Sequence, residues 1–194
     1  MKRICIYCGS KTGNHPAYRE AAEELGREMI NRNLELVFGA GSIGMMGVVA
    51  DSVLEAGGTV IGVIPKFLSG REVMHQQMSE THIVESMHER KALMEEMSNG
   101  FIALPGGLGT FEELFEILTW SQLGLHRKNV GLLNVRGYFD PLLQQVNHAI
   151  AEGFVKEDNR DLFVVSNEPG ELLDLMDQHE LPEVKRWMTD EEQI

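Results

Sequence analysis

Short apolar runs alternate with helix-length stretches along this chain of 194 residues, and this alternation restricts its fold more than any other feature. Nearly continuous apolar runs are typical of strands that helices cover on both faces. Strands are predicted over residues 4–8, 34–38, 59–64, 101–104, 130–133 and 162–165. Helices are predicted over residues 16–32, 44–56, 87–99, 110–123, 138–152 and 168–178. This order predicts right-handed βαβ units, and therefore one doubly wound α/β domain with a mostly parallel sheet and helices on both faces.

The domain is predicted to span residues 1–180, because no repeat, low-complexity segment or linker interrupts the alternation. Segment 66–85 is its least regular part, and a short extra strand is expected there at 82–85. Residues 181–194 are polar and acidic, which is typical of a tail that lies on the surface or frays.

Composition excludes several classes of protein. The chain has 17 Lys and Arg against 30 Asp and Glu, so it lacks the basic field on which nucleic-acid binders rely. No apolar run approaches the roughly 20 residues that cross a bilayer, and the first residues turn polar too soon for a signal peptide. Two cysteines without a leader indicate a reduced, cytoplasmic setting, and the histidines and cysteines show no metal-ligand spacing. We therefore expect no membrane, nucleic-acid or metal partner.

A first glycine-rich turn follows the second predicted strand. In doubly wound sheets, ligands bind beyond the carboxyl ends of the strands, where helix N-termini offer free N–H groups. Gly39, Gly41 and Gly44 match the G-x-G-x-x-G dinucleotide pattern, and Ser42 lies between them. The acidic residue that should hold the ribose hydroxyls is missing where the third strand ends, which argues against NAD. A phosphate contact and a tight turn with close helix packing both remain open.

A second turn, Pro105-Gly106-Gly107-Leu108-Gly109-Thr110, is far more specific. It follows a buried strand, brings bare backbone to the sheet edge, and presents N–H donors and a hydroxyl to an anion. No Gly-Lys-Ser/Thr follows, so the turn is not a Walker P-loop and nucleoside triphosphate hydrolysis has little support.

Glu113 has two interpretations. Thr110-x-x-Glu113 matches a helix capping box, in which the glutamate satisfies a backbone donor. The alternative is a carboxylate that acts on a ligand at the glycine turn. Glutamine serves in a capping box but cannot act as a base, so substitution separates the two roles.

Arg90 and Lys91 follow another capping box, Ser86-x-x-Glu89. Lys91 has Glu95 four residues on, which predicts a solvated ion pair. Arg90 is expected on the apolar side of its helix, where it has no local carboxylate. A guanidinium there needs an anion from elsewhere, either a structural carboxylate or a bound substrate.

Four motifs together carry a resemblance to a known family: Cys8-Gly9-Ser10, Gly41-Ser42-x-Gly44-x-Met46-Gly47, Met87-x-x-Arg90-Lys91 and Pro105-Gly106-Gly107-x-Gly109-Thr110-x-x-Glu113. Over residues 3–178 the chain resembles the Lonely Guy family of cytokinin riboside 5′-monophosphate phosphoribohydrolases, whose bacterial members were formerly labelled possible lysine decarboxylases. The resemblance implies a Rossmann-like homodimer. It also implies hydrolysis of the N-glycosidic bond of adenine-type nucleoside 5′-monophosphates, cytokinin nucleotides or AMP, to free base and ribose 5-phosphate without a cofactor.

The resemblance also implies the site residues. Arg90 and Glu113 match the catalytic pair. Glu113 is expected in the first turn of its helix, where the macrodipole favours the ionised form that activates water. Arg90 is expected to steady charge on the leaving base or to hold Glu113 and the nucleotide in register. Substrate-binding residues are expected at Ser10, Gly41, Ser42, Arg90, Lys91, Gly106, Gly107, Leu108, Gly109, Thr110 and Glu113.

Two other functions are alternatives to this hydrolase. Lysine decarboxylation would need a Schiff-base lysine and a pyridinium partner within a cofactor fold, and nothing in the sequence suggests them. A non-catalytic purine-nucleotide sensor or carrier would use the same crevice without turnover. Such a protein would bind nucleotides almost unchanged after Glu113→Gln, whereas a hydrolase would lose turnover.

Overall fold

A seven-stranded sheet, parallel in every strand pair, forms the centre of the computed structural model, which describes residues 1–69 and 74–183. The strand order is β4-β3-β2-β1-β5-β6-β7. The strands are β1 Arg3–Tyr7, β2 Glu35–Phe38, β3 Val60–Pro65, β4 Glu80–Val84, β5 Gly100–Ala103, β6 Asn129–Leu133 and β7 Val164–Ser166. The doubly wound α/β prediction is confirmed.

Helices cover both faces of the sheet. They are α1 Pro16–Asn31, α2 Gly44–Glu55, α3 Lys66–Ser69, α4 Met87–Met97, α5 Leu108–Gln122, α6 Asp140–Ala151 and α7 Pro169–Gln178. Side chains alternate along β1, so Ile4 and Ile6 join a core built with α1, α2 and α7. Cys5 and Tyr7 join the opposite core, to which α4 and α5 contribute. Among the described residues, no helix is both long and apolar enough to cross a bilayer.

The predicted elements recur with small shifts, and two boundaries were wrong. The extra strand expected at 82–85 exists as β4. The last strand begins at Val164 rather than at Leu162, because Leu162 ends a 3-10 turn that buries it in the core. Helix α5 begins at Leu108 rather than at Thr110. The division at residue 180 stays a prediction, and residues 184–194 of the expected tail lie outside the described residues.

The topology places the site. From β1 the chain winds outwards through β2 and β3 to β4, then returns to place β5 beside β1 on its other side. Ligands bind at such a reversal of strand order, beyond the carboxyl ends of the strands. Three loops meet there, since they follow β1, β2 and β5, and two of them are the glycine-rich turns.

Candidate active site

Backbone hydrogen bonds hold the three loops together. The Gly9 N–H, just after β1, donates to the Pro105 carbonyl over 3.2 Å. The Gly9 carbonyl accepts from the Met45 N–H, in the first turn of α2, over 2.9 Å. A β-carbon on Gly9 would lie 3.1 Å from the Gly106 α-carbon, so the loops approach backbone to backbone. The first loop therefore fixes both glycine turns relative to each other.

A cleft of about 390 Å³ opens at this point. Its lining includes Ser10, Gly106 and Gly107, three of the residues expected to bind substrate, but neither Arg90 nor Glu113. The lining also includes Gly9 and Pro105, which belong to two of the motifs that carry the family resemblance. Sequence reasoning missed its other members, which are Lys11, Thr12, Gly13, Tyr18 and Tyr138. For Tyr138 a signal existed, because the residue follows closely on β6, whose carboxyl end lies at the same sheet edge.

The second glycine turn differs from its prediction in its helix cap. Gly107, not Thr110, is the N-cap of α5, and no side chain caps the helix. Thr110 is buried beneath the turn, where a β-carbon on Gly106 would lie 2.1 Å from its Oγ1. Thr110-x-x-Glu113 is therefore not a capping box, because the helix begins before Thr110. The first backbone N–H groups of α5 have no partner within the helix and remain donors at the sheet edge.

Glu113 and Arg90 form a largely buried ion pair between α5 and α4. Arg90 Nη2 lies 3.7 Å from Glu113 Oε1, and the two side chains are 12% and 13% exposed. This distance is too long for a hydrogen bond, so the two side chains interact through their opposite charges. Arg90 Nε is buried and has no hydrogen-bond partner among the described residues. The anion that Arg90 was expected to need is thus a protein carboxylate, and guanidinium donors remain for a ligand.

The environment of Glu113 overturns the expectation that its helix position keeps it ionised. Glu113 lies in the second turn of α5, beyond the reach of first-turn effects. Burial raises the pKa of Glu113 to about 7, against the opposing charge of Arg90. The carboxyl therefore changes protonation state near neutral pH, as suits a group that exchanges a proton.

Lys91 does not pair with Glu95, contrary to the prediction. Its Nζ donates to the carboxylates of Glu112 and Glu116 on α5, over 2.5 and 2.8 Å. Glu95 instead binds Lys128. Carboxylates of the adjacent helix outcompete the local i,i+4 partner, so Lys91 links α4 to α5. Its expected contact with substrate stays a prediction.

The first glycine turn packs against the loop after β1. Gly44 has a left-handed backbone, with φ of +63°, and a β-carbon there would lie 2.2 Å from the Ser10 carbonyl carbon. A β-carbon on Gly41 would collide with the side chain of Met46. Close packing therefore explains these glycines, and the expected ligand contacts of Gly41 and Ser42 stay predictions.

The thiols of Cys5 and Cys8 are free and buried. Burial raises the pKa of both thiols, which keeps them protonated. Among residues 1–69 and 74–183, no cluster of three or more His, Cys, Asp or Glu side chains could hold a metal ion.

Comparison with known proteins gives consistent sequence matches. Residues 46–176 match the family model described as "Possible lysine decarboxylase". A protein of Oryza sativa subsp. japonica named probable cytokinin riboside 5′-monophosphate phosphoribohydrolase LOGL1 is 52% identical over 177 residues, which are 91% of this chain and 79% of the relative. The Arabidopsis thaliana protein named cytokinin riboside 5′-monophosphate phosphoribohydrolase LOG1 is 48% identical over 179 residues, or 92% of this chain and 84% of the relative.

Solved structures share the fold at lower sequence identity. The molybdenum cofactor carrier protein of Chlamydomonas reinhardtii aligns with a TM-score of 0.66 and 22% identity, over 90% of this chain and 95% of that protein. The structural genomics target TM1055 aligns with a TM-score of 0.68 and 22% identity, over 92% of this chain and 99% of that protein. These similarities concern the fold alone.

Proposed function

Since the chain belongs to the family of cytokinin riboside 5′-monophosphate phosphoribohydrolases, we propose that it hydrolyses the N-glycosidic bond of adenine-type nucleoside 5′-monophosphates to free base and ribose 5-phosphate. The observation that carries the proposal is the buried ion pair of Arg90 with Glu113, which lies in the second turn of the helix that follows the glycine turn after β5. The substrates are cytokinin riboside 5′-monophosphates, AMP or both.

Glu113 has the properties that this reaction needs. Cleavage of an N-glycosidic bond passes through a sugar cation like that of glycoside hydrolysis. In the proposed step, the bond from C1′ to the base breaks and the base leaves with the electron pair. A water oxygen bonds to C1′, and the Glu113 carboxylate accepts a proton from that water. With a pKa of about 7, a carboxyl can take up this proton and later return it to the base or to solvent.

Arg90 complements this chemistry with a fixed positive charge. Its guanidinium lies against Glu113, and its Nε lacks a protein partner among the described residues. We propose that Arg90 stabilises the negative charge that develops on the leaving base, because a preorganised donor is most effective in a buried site.

The 5′-phosphate is assigned to the first turn of α5. Unpaired N–H groups at a helix start attract anions, and no side chain competes for them here. Gly106, Gly107, Leu108, Gly109 and Thr110 supply this cradle, with Ser10, Gly41, Ser42 and Lys91 around the rest of the nucleotide. Binding energy from the phosphate would orient the reacting bond.

We further propose a homodimer in the cytoplasm. Apolar side chains remain exposed on α5, with Leu108 at 87% and Phe115 at 45% exposure, and a second copy would cover such a face. The free thiols of Cys5 and Cys8 suit a reducing compartment. Light scattering of the purified protein tests the dimer directly.

Chromatography of reaction mixtures tests the activity. The protein is incubated with AMP and, separately, with isopentenyladenosine 5′-monophosphate, and free base is measured. Glu113→Gln should release none while remaining folded, and Glu96→Gln, a change at an exposed position of α4, should behave like the native protein. If the folded native protein binds both nucleotides and releases no base from either, the sensor function replaces the hydrolase.

A further inference from the structure

The guanidinium of Arg90 occupies the space that a side chain on Gly39 would fill. Gly39 directly follows β2, on the sheet edge that carries the site. A β-carbon built on it would lie 1.8 Å from Nη2, 2.9 Å from Cζ and 3.5 Å from Nε of Arg90. Apart from Gly39 itself and the residues on either side of it in the chain, these three guanidinium atoms are the nearest heavy atoms to that position. A residue with a side chain would therefore meet the arginine head group before anything else.

Backbone conformation does not explain this glycine. The φ of Gly39 lies outside the left-handed region that favours glycine, whereas the next residue, Ala40, is left-handed, with φ of 60°. Other residues adopt the φ of Gly39 without strain, so the backbone of the turn does not require glycine at this position. The position of the Arg90 guanidinium, which lies where a side chain would be, does explain the glycine.

Few polar contacts hold the guanidinium in place. Glu113 lies 3.7 Å from Nη2, and the Met87 sulfur lies 3.8 Å from Nη1 and is a weak acceptor. Nε has no partner among the described residues. An arginine held so weakly by hydrogen bonds depends on the shape of its surroundings for its position. The bare α-carbon of Gly39 forms part of that shape.

We propose that Gly39 is a positioning residue for the hydrolysis, because its missing side chain lets the Arg90 guanidinium lie against Glu113. The inference rests on the proposed function, in which Arg90 acts on the leaving base. In this role Gly39 does not touch substrate and acts through Arg90 alone.

Gly39→Ala is the direct test. Since the colliding atoms end a flexible side chain, we expect the fold to persist and the guanidinium to move. A displacement of about 1 Å can cost about 100-fold in rate, so kcat for base release from AMP should fall by about 10- to 100-fold. Gly170→Ala is the matched control, because the nearest atom to its new methyl group is 3.6 Å away. Circular dichroism and thermal unfolding establish that both variants are folded.

A double-mutant cycle separates positioning from a general structural effect. In an Arg90→Ala background the methyl group has nothing to displace, so Gly39→Ala should change kcat by less than about twofold. If Gly39→Ala costs the same factor with and without Arg90, or costs nothing in the native background, the positioning role is wrong. Absence of base release by the native protein instead contradicts the proposed function.

The pH profile of kcat gives a second readout. Arg90 lowers the pKa of Glu113, so displacing the guanidinium in Gly39→Ala should raise that pKa. The rising limb of the kcat profile should therefore move to higher pH in Gly39→Ala and not in Gly170→Ala. In Arg90→Ala, addition of Gly39→Ala should produce no further shift. None of these variants replaces the other titratable residues whose charge influences the pKa of Glu113 or whose pKa Glu113 influences: Cys5, Tyr7, Cys8, Lys91, Glu112 and Glu116.

Discussion

The hydroxyl of Tyr138 donates a hydrogen bond to the carbonyl of Gly106 and so ties the segment after β6 to the glycine turn after β5. The Tyr138 ring also packs against Phe111 of α5 and edge-on to Tyr18 of α1. Tyr138 therefore lines the cleft and also binds the backbone of Gly106, which lines it too. This contact makes the proposed phosphate cradle dependent on a side chain more than thirty residues away in sequence.

Tyr138→Phe should weaken nucleotide binding while it preserves the packing of the ring. The lost hydrogen bond contributes about 1 kcal/mol, so we expect the KM for AMP to rise about fivefold and the free energy of unfolding to fall by about 1 kcal/mol. Steady-state kinetics and urea unfolding measure the two effects. An unchanged KM together with the stability loss would show that the hydrogen bond serves the fold and not the cradle.

Glu113→Gln should change how stability depends on pH. Burial raises the pKa of Glu113 from 4.5 to about 7, so between these values the folded state holds a proton that the unfolded state has released. The contribution of Glu113 to stability therefore falls as pH rises through this window. Glutamine does not titrate, so the free energy of unfolding of the variant should rise relative to that of the native protein as pH increases, by up to about 3 kcal/mol above pH 7.

Urea unfolding of both proteins across the acidic to mildly alkaline range measures this difference. Glu96→Gln serves as control, because it makes the same chemical change at an exposed position of α4. A constant difference for Glu113→Gln would place the pKa of Glu113 near its ordinary value.

Lys91→Met should act mainly through the charges of α5. The substitution removes the partner of Glu112 and Glu116 and leaves both carboxylates close to Glu113. Hydrogen bonds to charged groups contribute about 1.5–3 kcal/mol, so we expect about 2 kcal/mol less stability. The pKa of Glu113 should rise, because Lys91 lowers it, and the rising limb of the activity profile should move to higher pH.

A triple variant distinguishes this effect from substrate binding by Lys91. With Glu112→Gln and Glu116→Gln added, the unpaired charges disappear, and stability and pH profile should recover toward native values. A high KM for AMP that persists in the triple variant would indicate that Lys91 contacts the nucleotide, as the family resemblance implies.

The sequence predicted the fold well because the signals for it are local. Apolar runs and breaker residues identified the strands, and the parallel order of the sheet followed from their alternation with helices. It also identified Arg90 as a charge on an apolar helix face. What it missed depends on contacts between elements: Lys91 prefers carboxylates on the adjacent helix to Glu95.

The start of α5 shows the same limit in a different form. Thr110-x-x-Glu113 satisfies a local capping rule, but the helix begins at Leu108 because Gly107 takes the extended cap position. Thr110 is needed beneath Gly106, and Glu113 is needed opposite Arg90. Neither requirement can be derived from sequence spacing, since the first depends on how the turn after β5 meets α5 and the second on how α5 lies beside α4.

Gly109→Ala should separate the needs of the fold from those of the ligand. Beyond its chain neighbours and the backbone of its own helix, a β-carbon at Gly109 meets no protein atom within 4 Å. The φ of Gly109 also lies outside the left-handed region, so the protein itself does not require glycine there. Within a helix, alanine is more favourable than glycine by about 1 kcal/mol, so stability should hold or increase. If the 5′-phosphate lies on this turn, the methyl group should raise the KM for AMP at least about tenfold. Gly170→Ala places the same change at the second residue of α7, far from the cleft, and should leave the KM unaltered. An unaltered KM for Gly109→Ala as well would move the phosphate away from the first turn of α5.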